Sequence, residues 1–223
     1  MSGKRFLGGA LALLAGSASA QDNNSTLPVN FGMVLFPSFQ AFDVFGPLDA
    51  LNVLSMSYPI NLYLISSTLD PVSTAPRSAG MNPHNSNFSQ ALVPTHTFED
   101  APALDVLMVP GGLGTRAGDL DPTIAYIADA AGEAEYVLTV CTGSWLAARA
   151  GVLDGKNATS NKASWAGREG LGNGTNWIAH ARWVEDGNVW TSSGISAGID
   201  MTLTWMESVF GNDTATSIAN KLE

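Results

Sequence analysis

Short, almost wholly apolar runs alternate with helix-spaced segments along most of this chain, and that order leaves few folds open. Residues 30–36, 60–66, 104–109 and 136–140 read as strands buried on both faces, because they are near-continuous hydrophobic runs closed by Gly, Pro or Ser. Between and after them, residues 44–56 following a Gly46-Pro47 step, 122–131, 145–150 and 196–210 have the composition and spacing of helices. Residues 182–190 read as a late hairpin turning at Asp186-Gly187-Asn188. The expectation is an α/β fold, a mostly parallel sheet with helices on both faces.

The first twenty residues are set apart from that pattern. Lys4 and Arg5 precede a short apolar stretch, and Ala18-Ser19-Ala20 follows, which is the three-part order of a secretory signal peptide cleaved before Gln21. The stretch is too short to span a bilayer. Residues 21–29 are then a polar lead-in, and residues 30–223 a single domain without repeat or linker. The chain carries a net charge of −10, and loss of Lys4 and Arg5 makes it more acidic still. Such a surface argues against nucleic acid and against anionic membranes as partners.

Six Asn-x-Ser/Thr sequons, at Asn23, Asn24, Asn87, Asn157, Asn173 and Asn212, fit a secreted glycoprotein or one held in the lumen of the secretory pathway. An exported chain with a single cysteine has no internal disulfide and must fold on its hydrophobic core alone. That cysteine, Cys141, stands where the fourth strand runs straight into a helix start, Cys141-Thr142-Gly143-Ser144. In open α/β sheets the working crevice lies beyond the carboxyl ends of the strands. A thiol on such a turn faces backbone N–H groups and a helix dipole, both of which favour its anion and lower its pKa. Cys141 is therefore the candidate nucleophile.

Other clusters read as ordinary. Asp119, Asp121 and Asp129 lie at a helix start and on its outer face, where acidic residues complement the dipole, and no His or Cys joins them as metal ligands. The glycines of 111–114 lack the Lys-Ser/Thr pair of a phosphate loop, which argues against a nucleotide. His84, His96 and His180 fall in a loop, a strand-edge segment and a surface strand, away from the cysteine. Of the six tryptophans, Trp145 and Trp165 are the expected pocket members.

Three strings carry a family resemblance: Val109-Pro110-Gly111-Gly112, Val140-Cys141-Thr142-Gly143-Ser144, and the run from Asp186 through Trp190-Thr191-Ser192-Ser193-Gly194 to Asp200. They resemble the ThiJ/PfpI superfamily, and more narrowly its isonitrile hydratase branch, which is also similar to the sensor domains of AraC-type regulators. Phe42-Asp43-Val44-Phe45-Gly46-Pro47 matches the first loop of that branch. The resemblance spans residues 30–210. It implies a flavodoxin-like sandwich, a homodimer, a small-molecule substrate, and no metal or organic cofactor. It further implies Cys141 as nucleophile on a strained elbow and Asp43 as its acid/base partner. Gly111 and Gly112 would line the pocket through their N–H groups, and Thr142 would offer its own.

Two departures bear on chemistry. Position 142 holds Thr where protease-like members place a histidine, which disfavours a Cys-His dyad. Where the isonitrile hydratase branch often has a His-Trp pair, this chain has Ser160-Asn161-Lys162-Ala163-Ser164-Trp165, so the Asn161 and Lys162 side chains would present different hydrogen-bonding groups if they face the pocket; Asn161 and Trp165 are the expected substrate contacts. The reaction implied is hydration of a small carbon–nitrogen electrophile, an isonitrile becoming an N-substituted formamide. Two alternatives use the same residues: turnover of another electrophile such as a reactive carbonyl, and binding or oxidation sensing without turnover.

Overall fold

The computed structural model describes residues 26–223. The expected signal peptide with its cleavage site, and the sequons at Asn23 and Asn24, lie outside the described residues. Residues 26–29, the end of the lead-in, have no regular structure.

Eleven strands and five helices follow. The strands are β1 (Asn30–Val34), β2 (Asn61–Ser66), β3 (Val72–Ser73), β4 (Ala91–Leu92), β5 (His96–Thr97), β6 (Val106–Val109), β7 (Tyr136–Val140), β8 (Asn157–Ala158), β9 (Asn176–Trp177), β10 (Trp183–Asp186) and β11 (Val189–Ser192). The helices are α1 (Ala41–Ser55), α2 (Asp121–Glu133), α3 (Gly143–Arg149), α4 (Ile195–Phe210) and α5 (Asn212–Leu222).

Seven strands form the central sheet in the order β10-β11-β7-β6-β1-β2-β5. Every pairing in it is parallel except the edge hairpin of β10 with β11. The central strands are buried along their length because both faces are covered: α1, α4 and α5 pack on one another, and α2 packs with α3. Val34, Ile65, Val106, Leu107 and Trp205 are fully enclosed in this core. The result is a flavodoxin-like α/β fold, as the alternating pattern leads one to expect.

Several boundaries move. The first helix begins at Ala41, so Asp43 lies in its first turn and Gly46-Pro47 sits inside it. Gly46 is needed there because a Cβ would stand 2.8 Å from Ile199 Cγ1, where α1 crosses α4. A second C-terminal helix, α5, follows the stop at Gly211. His180 lies in an exposed turn and not in a surface strand.

Loops after β1 and β6 are tied together at the carboxyl end of the sheet. Phe39 and Gly112 form an isolated antiparallel bridge, Gln40 N–H donates to Gly111 O at 2.8 Å, and Gly114 N–H donates to Ser38 O at 3.0 Å. These ties bring the start of α1 against the Pro110-Gly111-Gly112 turn.

Candidate active site

Strand β7 ends with the N–H of Cys141 donating to Ser192 O at 3.1 Å, after which the chain must turn at once into α3. Cys141 makes that turn with φ of 59°, in the left-handed region that a side chain with a Cβ seldom adopts. Surrounding bonds hold it there. The hydroxyls of Ser144 and Ser160 both donate to Cys141 O, at 3.0 and 3.2 Å, and lie 2.9 Å from each other. Gly143 follows because nothing larger fits: a Cβ there would be 2.2 Å from Val109 O.

Asp43 reaches this elbow from the first turn of α1 and is completely buried. Its Oδ2 accepts the Gly111 N–H at 2.9 Å, while Oδ1 is buried with no partner. Gly111 itself is confined, since a Cβ would stand 2.6 Å from Thr142 N and 2.9 Å from Asp43 Oδ2. Burial pushes the Asp43 carboxyl up to about 7, against smaller opposing effects from the Gly111 N–H and the neighbouring Cys141 thiol.

Cys141 is only 6% exposed. Burial, and then the Asp43 charge, push its thiol up to about 12, although the Thr142 N–H and the Asn161 side chain favour the anion. The lowered thiol pKa expected from a helix start is thus overridden: the Thr142 N–H and hydroxyl and the Asn161 side chain do not offset its removal from water beside a carboxyl. The pair carries one proton between its two macroscopic steps.

The expected pocket residues divide. Thr142 and Asn161 both lie against the sulfur. Asn161 Oδ1 is taken by the Ser164 N–H at 3.0 Å, so its NH2 is the group left for the thiol. Gly111 and Gly112 line the elbow, but their N–H groups are engaged by the protein, that of Gly112 by Thr142 Oγ1 at 3.0 Å. They position Asp43 and Thr142 in place of meeting a ligand. Trp165 is half-buried in the same loop as Asn161.

Sequence reasoning missed Ser160, Thr115 and Arg116. Thr115 is buried with its hydroxyl donating to Gly112 O at 2.8 Å and 3.1 Å from Thr142 Oγ1, and Arg116 reaches Ser164 Oγ at 2.8 Å. Hydroxyl residues after a glycine turn carry little signal by themselves; only their return to one elbow marks them. Asp119 is bound by Arg77 through two bonds of 2.7 and 2.5 Å. Among the described residues no group of three His, Cys, Asp or Glu could hold a metal ion, and no helix is long and apolar enough to cross a membrane.

A parallel sheet with a left-handed cysteine between β7 and α3 defines a class, and residues 32–208 match the DJ-1/PfpI family. The chain belongs to that family. It is 38% identical over 200 residues to isonitrile hydratase of Pseudomonas putida, an alignment covering 88% of this chain and 79% of that protein. A ThiJ/PfpI family protein from Pseudomonas syringae superposes with a TM-score of 0.68 at 31% identity, covering 85% of this chain and 72% of the other. An AraC family transcriptional regulator from Pseudomonas putida shares the fold, with a TM-score of 0.70 at 20% identity over 88% of this chain and 100% of its own.

Proposed function

We propose that the protein is a lyase-type enzyme that hydrates isonitriles to N-substituted formamides, with Cys141 as nucleophile and Asp43 as acid/base. The observation that carries this reading is Asp43 itself: fully buried beside Cys141, one oxygen fixed by Gly111 and the other without a partner. A carboxyl so placed has its pKa near neutrality and one oxygen free to pass a proton. Similarity to isonitrile hydratase supports a hydratase-like activity.

The cycle balances with the single proton of the pair. Cys141 Sγ bonds to the terminal isonitrile carbon while that proton passes through Asp43 to the same carbon, giving a thioimidate and an Asp43 carboxylate. The carboxylate then takes a proton from water as the water oxygen adds to carbon, and hands it to nitrogen. Finally the C–S bond breaks as Asp43 removes the hydroxyl proton, releasing the formamide and restoring one proton to the pair. The Asn161 NH2 and Thr142 N–H stabilise charge on sulfur as it attacks and as it leaves.

Formamide production from aryl and alkyl isonitriles by the purified protein tests this reading, and its absence across a broad pH range removes it. An oxidation-sensing role fits less well, because a thiol held near 12 presents little thiolate to an oxidant at neutral pH.

We also propose secretion, supported by the leader-like order of residues 1–20 and by the exposure of Asn87, Asn157, Asn173 and Asn212. A mass shift on deglycosylating the exported protein tests it. A homodimer is supported by exposed Phe42 and Phe45 on α1 beside Leu62 of β2, and light scattering of the purified protein decides it.

A further inference from the structure

Two loops each place one residue at the elbow and a cation directly after it. Asn161 lies against the Cys141 sulfur and Lys162 follows; Thr115 lies against Thr142 and Arg116 follows. Each cation therefore starts about 3.8 Å of backbone beyond a residue of the site. Arg168 completes the group from the same loop as Lys162.

These cations gather on two indoles. Arg116 stands 5.2 Å from the Trp145 ring centroid, while Lys162 and Arg168 stand 4.8 and 4.1 Å from that of Trp165. Gly167 seats the loop against Trp145, since a Cβ there would be 2.3 Å from the ring, and Arg116 bonds Ser164 in the same loop. The three ion pairs among the described residues use Arg77, Arg149 and Arg182. Arg116, Lys162 and Arg168 have no carboxylate within 4.0 Å, in a chain whose net charge is −10. Three like charges converging without a counter-ion repel one another. Two buried donors of the same cluster, Trp145 Nε1 and Arg168 Nε, also lack an acceptor.

We infer that this cluster receives an anionic group of the substrate, so that the isonitrile taken by the site carries a carboxylate on its nitrogen substituent. The inference rests on the proposed hydratase reading and adds the substrate class. A carboxylate offsets the three charges, and its planar pair of oxygens matches a guanidinium fork.

The test compares isocyanoacetate with its methyl ester, which differ in charge at almost constant shape. The native protein is expected to show a kcat/KM for the carboxylate about tenfold above that for the ester at low salt, shrinking at high salt. In a variant combining Arg116→Gln, Lys162→Gln and Arg168→Gln the ratio is expected to fall to about one. The single Lys162→Gln change at an exposed side chain, expected to lower the ratio about threefold, serves if the triple variant does not fold. An ester used as well as the carboxylate, or a ratio unmoved by the substitutions, overturns the inference and leaves the hydratase reading intact. If neither compound is turned over while neutral aryl or alkyl isonitriles are, the inference is overturned; if no isonitrile is turned over, the hydratase reading fails and tryptophan fluorescence titration decides the inference. Tighter binding of isocyanoacetate than of its ester supports it, and equal binding overturns it.

Discussion

The elbow and the loop layer beside it are built by opposite means. Cys141 and Gly111 follow β7 and β6, strands buried on both faces, Asp43 comes from the buried side of the first turn of α1, and the Asp43–Gly111 hydrogen bond is enclosed. Residues 159–175, by contrast, hold a short helical turn at Trp165–Arg168 and glycines at 167, 170, 172 and 174, three of them with positive φ. Their cohesion comes from turn and side-chain hydrogen bonds and from cation–indole contacts, and not from a sheet ladder. The groups proposed to make bonds are fixed by the core, whereas the groups proposed to select a substrate sit on irregular chain. Changes at the elbow should then alter rate for every substrate alike, and changes in the loop should alter preference.

The sharpest way to break that division is Cys141→Ala. It is expected to reduce formamide formation at least about 10³-fold for all isonitriles, measured as kcat/KM. Residual activity within tenfold of the native protein would end the nucleophile assignment. Asp43→Asn comes next, with an expected loss of about 10²- to 10⁴-fold. The singly protonated pair forms as pH rises through about 7, so the native rate should climb there to a plateau, and the variant should lack that limb.

The same substitution has a signature in stability. The folded carboxyl titrates at about 7 against 3.8 for the ordinary group, so the folded protein holds this proton more tightly than the unfolded chain does. The stability it contributes is complete below 3.8 and is lost as pH rises to about 7. Chemical denaturation at several pH values should show that fall in the native protein and a flatter profile in Asp43→Asn.

Smaller effects sharpen the contrast. Gly143→Ala puts a methyl 2.2 Å from Val109 O and should cost about 3 kcal/mol in denaturant unfolding, whatever the substrate. Ser160→Ala removes one of the two hydroxyls on Cys141 O and should cost about 1 kcal/mol, lowering kcat equally for charged and neutral isonitriles. Unequal lowering would mean that Ser160 belongs to substrate selection.

Legibility in the sequence follows the same division. Continuous apolar runs exposed the four central parallel strands, and a strand running directly into Cys141-Thr142-Gly143 marked the elbow. The composition around Asp43 alone suits any helix start; its role came from the resemblance, and its burial is visible only once the β1 and β6 loops are bridged. Helix α5 escaped because Gly211 reads as a stop and the apolar stripe beyond it is thin, with Ala215 and Ile218 alone fully buried. Helix α1 starts at Ala41, three residues before the expected start at residue 44. The thiol's pKa was misjudged for a related reason: a helix start can be read from sequence, but the depth of burial that outweighs it cannot.

The parallel order of the sheet has a consequence for how activity is acquired. Asp43, Gly111 and Cys141 follow β1, β6 and β7, neighbours in space that are joined by long crossovers in the chain. No hairpin can preassemble them, so the loops between must close before any one of the pairings is rewarded. On refolding from denaturant, helix content should return before formamide production does. A newly made chain would produce no formamide until β7 has docked against β6, because the thiol and its acid are apart before then.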